Sequence, residues 1–291
     1  MMEWTIGVIG GSGLYAMDAL EDAQRLAIDT PWGAPSDDLL IGRILGVKFV
    51  FLPRHGRGHR LPPDAVNYRA NVDALKRAGC TDLIAISAVG SLHEEFAPGA
   101  FVAVDQYIDR TGARANSFFG PGLAAHVSLA DPVCPRLSAL AAEAGEAAGA
   151  AMVRGGCYVA IQGPQFSTRA ESRLYRSWGG DVIGMTGMPE ARLAREAELP
   201  YASICMVTDY DCWREDIAPV GVGEILAQLD ANAEAARRLL VELAQRLPAE
   251  RPPSPIDTAL DYAIVTARQA RDPGLGARLE AIAGRALRSE A

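Results

Sequence analysis

Short, almost uninterrupted apolar runs recur along this chain, and several of them stop at a cluster of small or polar residues. Trp4 to Ile9 ends at Gly10-Gly11-Ser12-Gly13, Gly46 to Pro53 at Arg54-His55-Gly56, and Leu83 to Ile86 at Ser87-Ala88-Val89-Gly90. Phe101 to Val104, Tyr158 to Gln162, Asp181 to Met185 and Tyr201 to Val207 also read as strands. Runs this short and this apolar predict strands covered on both faces. Between them, helical spacing marks Asn71 to Ala78, the Ala-rich Arg136 to Met152, Glu171 to Trp178, Glu190 to Glu198 and the long amphipathic Val222 to Leu247. The alternation predicts an α/β fold with a mixed or mostly parallel sheet flanked by helices. Residues 1–247 read as one domain. Pro248 to Pro255 holds four prolines in eight residues, a linker signal. Thr258 to Ser289 reads as a helical C-terminal extension of about two helices, broken near Asp272-Pro273-Gly274.

Composition removes several classes of function. Apolar residues at 49% and charged residues at 22% argue against disorder and fibrous repeats. A net charge of −8 argues against a nucleic-acid partner, although a local pocket can still hold a small anion. No apolar run reaches ~18 residues, so no membrane span is predicted. The start Met1-Met2-Glu3 lacks a basic segment, so no secretory leader is expected. The five cysteines, Cys80, Cys134, Cys157, Cys205 and Cys212, form no CxxC pair and read as buried, reduced thiols of a cytoplasmic protein. Four scattered histidines predict no metal centre.

The polar clusters stand where predicted strands end, which is where open α/β sheets bind ligands. Gly10 to Gly13 lets backbone N–H groups turn toward an anion, with Ser12 adding a hydroxyl. Gly11, Gly13 and Ala16 also fit the loose form of a dinucleotide fingerprint, and a plain turn explains them as well. Arg54 to Arg60 packs three arginines and two histidines into seven residues, a cationic patch in an acidic chain. Arg54 offers a fork of donors suited to phosphate, and His55 could donate a further bond. Ser87 to Gly90 and Thr186 supply hydroxyls and small side chains, and singly read equally as strand-end turns. In Thr208-Asp209-Tyr210-Asp211-Cys212-Trp213, two acids follow an apolar strand beside aromatics. Carboxylates in such surroundings need donors. A purine with an exocyclic amine and a protonatable N7 supplies them, and desolvation suits a carboxyl to proton donation. Solvated loop acids or a helix cap are the alternative.

In chain order these segments resemble one family. Its marks are Val8-Ile9-Gly10-Gly11-Ser12-Gly13-Leu14, Arg54-His55-Gly56-Arg57-Gly58-His59, Val66-Asn67-Tyr68-Arg69-Ala70-Asn71 and Ser87-Ala88-Val89-Gly90-Ser91-Leu92. The later ones are Gly163-Pro164-Gln165-Phe166-Ser167-Thr168-Arg169-Ala170-Glu171-Ser172, Gly184-Met185-Thr186-Gly187-Met188-Pro189-Glu190 and Thr208 to Trp213. The chain is similar, over residues 5–245, to the trimeric purine nucleoside phosphorylases, and within them to the branch acting on 5′-methylthioadenosine. The resemblance implies a mixed sheet partly closed into a barrel and flanked by helices, and a homotrimer or dimer of trimers. It implies reversible phosphorolysis of an N-glycosidic bond, with phosphate as co-substrate and no metal or organic cofactor. It places phosphate at Ser12, Arg54, His55, Ser87, the Ala88 backbone and Thr186. Met185 lies under the ribose, Phe166 stacks on the base and Ser167 lines the base pocket. Asp209 and Asp211 meet N7 and the 6-amino group, with Asp209 and Thr186 as the catalytic residues. Val222, Ile225 and Leu226 shape an apolar 5′ pocket. His126 matches a position that a neighbouring subunit contributes, and His59 falls near that region.

The choice of base follows from donors and acceptors. Family members that act on 6-oxopurines typically carry Glu at the position of Ser167 and Asn at that of Asp209. Asn can donate to O6 and a carboxylate cannot, so two acids fit a 6-amino group and a protonated N7. Gly187, Gln165 and Ser87-Ala88-Val89-Gly90 depart from the Thr, Arg and Thr-Ala-Cys-Gly usual in eukaryotic members. The Met-Thr-Gly-Met-Pro-Glu run also occurs in relatives that prefer methylthioinosine. A 6-oxopurine or 5′-methylthioinosine phosphorylase is therefore the second reading. A non-catalytic nucleoside sensor is the third; it has no use for a leaving-group acid.

Overall fold

The computed structural model describes residues 3–11, 13–14, 17–214 and 222–289, with the backbone alone at 222, 224–227, 229 and 230. The strands are β1 (Thr5–Gly10), β2 (Glu21–Leu26), β3 (Leu39–Ile44), β4 (Val47–Pro53), β5 (Asp82–Ser91), β6 (Ala100–Val104), β7 (Gln106–Arg110), β8 (Ala151–Arg154), β9 (Cys157–Ile161), β10 (Val182–Gly184) and β11 (Tyr201–Asp209). The helices are α1 (Tyr68–Arg77), α2 (Pro135–Ala147), α3 (Arg169–Ser177), α4 (Gly187–Glu196), α5 (Val222–Arg246), α6 (Pro273–Arg278) and α7 (Glu280–Ser289). The strands form one mixed sheet in the order β2-β3-β4-β1-β5-β10-β9-β7, with β11, β6 and β8 branching from β5.

β5 is the hub because it is the longest apolar strand and its two flanks are used differently. One flank carries β11 in parallel from Leu83 to Gly90. The other carries β1 only as far as Ala85, and β10 only at Gly90 and Ser91. Residues 86–89 therefore have no ladder partner on that flank, and the sheet forks open there. Among the described residues, hydrogen bonds do not close the sheet into a barrel. Asp105 alone separates β6 from β7, so the chain itself joins the ends of the series β5, β10, β9, β7, β6 and β11.

Helices cover both faces. On one, Leu137, Ala141 and Ala144 of α2 meet Ala236, Leu239, Leu240 and Leu243 of α5 over Ile84, Ile204 and Met206. The spacing of the α5 residues is that of one helical stripe. On the other, Val72 and Leu75 of α1 and Ala191 and Ala194 of α4 pack with Leu83, Tyr201 and Leu260.

Several elements differ from the sequence expectation. The Ala-rich helix stops at Ala147 rather than Met152. Gly149 takes φ 79° and its N–H bonds Glu146 O, a left-handed stop that frees Met152 for β8. β2, Glu-Asp-Ala-Gln-Arg-Leu, is exposed throughout and lacks alternation, as a charged edge strand does. Asp272-Pro273-Gly274 begins α6 instead of breaking a helix: the Asp272 carboxylate caps Leu275 N–H and Pro273 takes the first turn. Both tail helices thus follow Asp272.

The tail packs into the main core. Leu260, Leu279, Ile282, Ala283 and Ala286 are buried there. Buried Arg251 pairs with Asp82 at the start of β5 and with Asp257. Leu279→Ala should cost about 2–5 kcal/mol in urea unfolding. An unchanged midpoint would show that the tail unfolds separately.

Candidate active site

β1 and β4 run in parallel with Gly10 level with Pro53, so the glycine turn and Arg54 emerge side by side. The Arg54 backbone N–H donates to Gly10 O at 3.0 Å. Its guanidinium is 2% exposed and forks onto Glu190, with Nε to Oε2 at 2.9 Å and Nη2 to Oε1 at 3.0 Å. Nη2 also donates to Ile9 O at 3.2 Å and Nη1 to Ile86 O at 3.3 Å. Of the five guanidinium N–H groups, one on Nη1 is left over. The expected fork toward phosphate is therefore corrected: Glu190 takes the fork, and Arg54 has one N–H and its charge to offer an anion.

That charge faces the opening in the sheet. Ile86 O points there, and strand groups alternate between flanks, so Ala88 N–H points the same way without a ladder partner. Ala88 is exposed despite sitting in the central strand. Ser87 Oγ lies 3.4 Å from Thr186 Oγ1, and both side chains are buried. Thr186 precedes α4 but makes no side-chain cap bond, which leaves its hydroxyl facing Ser87. Its N–H donates to Tyr158 Oη at 3.3 Å. Arg54, Ser87, Ala88 and Thr186 thus form one cradle. Ser12 lies outside the described residues.

His55 joins the cradle's rim with a corrected polarity. Its Nδ1 is 2.9 Å from Leu61 O, which can only accept, so Nδ1 carries the hydrogen. Burial, with the Arg54 charge adding to it, pushes the imidazole down to about 4. At neutral pH the ring is uncharged and Nε2 accepts. It thus suits a phosphate that still carries a proton. The His59 ring stacks on it at 4.3 Å. Stability follows with a definite sign. Between pH 6.5 and about 4 the unfolded chain binds a proton that folded His55 refuses, so stability falls as pH falls through that window. His55→Gln should flatten that slope in urea unfolding at pH 7, 5.5 and 4.5; an identical slope would contradict the assignment.

The acids stand on the other flank of β5. The register of β11 shifts between Val207 and Asp209, so Thr208 bulges and Asp209 comes level with Gly90. A Cβ on Gly90 would stand 3.1 Å from Asp209 Oδ1 and 3.3 Å from Asp211 Cβ, so glycine leaves room for both acids. Asp209 Oδ1 accepts Asp211 N–H at 2.7 Å. Asp211 Oδ2 and Ser167 Oγ are buried without a hydrogen-bond partner among the described residues. Burial raises the Asp211 carboxyl above its ordinary value and the Asp209 charge adds to the rise, while the Ser172 side chain and Cys212 N–H pull the other way. The loop is held by Trp213 Nε1 on Ser91 O at 2.8 Å and Cys212 Sγ on Ser167 O at 3.2 Å.

Met185 and Phe166 are placed by a residue that sequence reasoning missed. Arg114 donates to Met185 O, Met188 O and Gln162 O, each at 2.7 Å, and so ties the strand end carrying Met185 to the loop carrying Phe166. Gly163, at φ 64°, lets the Met185 sulfur approach to 2.5 Å of where a Cβ would lie. Phe166 is 66% exposed at the rim. A Cβ at Gly187 would meet the Tyr107 ring at 2.5 Å, so Tyr107 fills the space that a larger residue there would need. Glu190 was also missed; an acid between Pro189 and Ala191 at the start of a buried helix was the signal that a cation must face it.

Val222, Ile225 and Leu226 lie at the start of α5, and their side chains are outside the described residues. The helix is docked beside the site: Asn232 Nδ2 donates to Val207 O at 3.1 Å and Arg237 Nη1 to Gly13 O at 2.5 Å. His126 is not brought to the cradle or the acids by its own chain. It is exposed and its N–H donates to Ala263 O at 2.8 Å, next to exposed Tyr262 and Val265. The cysteines are free thiols, Cys80, Cys134 and Cys205 buried, Cys157 and Cys212 only partly so.

An anion cradle and a pair of acids thus flank one central strand, and comparison with known proteins gives that arrangement a family. The sequence model of the phosphorylase superfamily matches residues 5–245, and the chain belongs to that family. Its relatives narrow the class. The S-methyl-5′-thioadenosine phosphorylase of Cereibacter sphaeroides is 58% identical over 289 residues, 99% of this chain and 100% of the relative. That of Bradyrhizobium diazoefficiens is 55% identical over 290 residues, again 99% and 100%. A crystal structure of a methylthioadenosine phosphorylase from an Antarctic soil metagenomic library superposes with a TM-score of 0.91 at 45% identity, covering 96% of this chain and 99% of that one. The Schistosoma mansoni methylthioadenosine phosphorylase, solved with tubercidin, gives 0.77 at 38% identity over 84% and 91%.

Proposed function

We propose that the chain catalyses the phosphorolysis of 5′-methylthioadenosine to adenine and 5-methylthioribose 1-phosphate. The observation that carries the choice of base is the buried Asp211 Oδ2, without a hydrogen-bond partner among the described residues and beside Asp209, two acceptors that a 6-amino group and a protonated N7 satisfy. Phosphate sits in the cradle of Ser12, Arg54, His55, Ser87, Ala88 N–H and Thr186. Its oxygen bonds C1′ as the C1′–N9 bond breaks and that electron pair passes into the purine. The cradle holds the dianion against the cationic sugar that develops. Asp209 acts as the general acid that passes a proton to N7. The protons balance: Asp209 gives one to N7 and is reprotonated from solvent, and the one that phosphate brings, facing His55 Nε2, is released to solvent as the sugar phosphate becomes a dianion.

Met185 carries the ribose, Phe166 and Ser167 the base, and Val222, Ile225 and Leu226 the methylthio group. No metal or organic cofactor takes part. The enzyme works in the cytoplasm as a homotrimer or dimer of trimers, in which His126 completes a neighbour's 5′ pocket. The exposed His126, Tyr262 and Val265 support that assembly, Tyr262 being 99% exposed in the single chain. No described helix is long and apolar enough to cross a membrane.

Adenine release from methylthioadenosine, followed with and without phosphate, tests the reading. It should require phosphate and yield a sugar phosphate. An equal rate without phosphate, or no release, overturns it.

A further inference from the structure

We propose that Thr208 is a positioning residue for Asp209, a hydroxyl that turns between two acceptors as Asp209 loses and regains its proton. This rests on Asp209 being the proton donor to N7. The geometry is that of the β11 bulge. Thr208 is the extra residue, buried, with Oγ1 3.2 Å from Val89 O and 2.7 Å from Asp209 Oδ2. A hydroxyl has one proton, and a carbonyl can only accept. The single Thr208 proton is therefore shared between two acceptors, Val89 O and Asp209 Oδ2. While Asp209 directs its own proton toward N7, Thr208 donates to Val89 O.

When the Asp209 proton passes to N7, Oδ2 becomes anionic and is the stronger acceptor. The Thr208 hydroxyl then turns from Val89 O to Oδ2 by rotation about one C–O bond. Asp209 Oδ1 already has a fixed donor in Asp211 N–H at 2.7 Å. Thr208 supplies the movable one, at the oxygen where charge develops. The bulge serves this arrangement: in a regular ladder Thr208 would not be the extra residue set between Val89 and Asp209.

The test is a kinetic cycle with methylthioadenosine and saturating phosphate. Thr208→Val keeps the shape and removes the hydroxyl. It should lower kcat roughly 10- to 100-fold, the size of one hydrogen bond to a group that becomes charged, with KM little moved. Thr208→Ser should restore most of kcat. In an Asp209→Ala background Thr208→Val should add no further loss, because Thr208 acts through Asp209. Should the Val variant misfold, Thr208→Cys, a weak donor of similar size, reads the same loss. The proposal is overturned if Thr208→Val keeps wild-type kcat, if Ser fails to rescue, or if the loss persists undiminished without Asp209. If Asp209→Ala itself keeps kcat, the proton-donor reading falls first, and Thr208 falls with it.

Discussion

Asp209→Ala should lower kcat for methylthioadenosine by about 10²–10⁴-fold and raise KM far less, the size and pattern of a lost general acid. A purine leaves C1′ poorly as an anion and well once N7 is protonated. Asp209 is fixed for that task by Asp211 N–H on Oδ1, by Thr208 on Oδ2 and by the bare Gly90 beneath it. A loss confined to KM would reduce Asp209 to a binding group.

Glu190→Ala should act on stability and on phosphate together. Glu190 and Arg54 are an ion pair with side chains 1% and 2% exposed, and removing one partner leaves the other charge buried. The expected cost is about 3–5 kcal/mol in urea unfolding. Tyr201 Oη, which donates to Glu190 Oε1 at 3.0 Å, loses its acceptor as well. Because Glu190 aims the guanidinium, the remaining Nη1–H leaves the cradle, and KM for phosphate should rise by about tenfold or more. Glu190→Gln keeps the shape and should fall between the two. A stable Glu190→Ala with unchanged phosphate KM would mean that Arg54 is held by its carbonyl contacts alone.

The strand ends were legible because apolar runs stop abruptly, and the described polar residues after Pro53, Ile86 and Val207 did converge around β5. The cradle itself was not legible. Residues 86–89 open to an anion only because β1 stops pairing at Ala85 and β10 starts at Gly90, a fact of long-range register with no local mark. The polarity of His55 was hidden for the same reason: it is set by the carbonyl of Leu61, which carries no side-chain signal. Glu190 stood inside a recognised motif, yet its partner lies 136 residues away. The premature end of α2 was readable in principle from Gly149, and the run of alanines concealed it. β2 was unreadable by periodicity, since a strand exposed on both faces has none.

The central claim is that two acids at the end of β11 select a 6-aminopurine nucleoside for phosphorolysis. A parallel product assay of the purified protein with phosphate and methylthioadenosine, adenosine, methylthioinosine or inosine tests it most directly. Adenine should appear fastest from methylthioadenosine, with adenosine slower and the inosine compounds slowest. Hypoxanthine released at comparable or greater rates would contradict the assignment of Asp209 and Asp211.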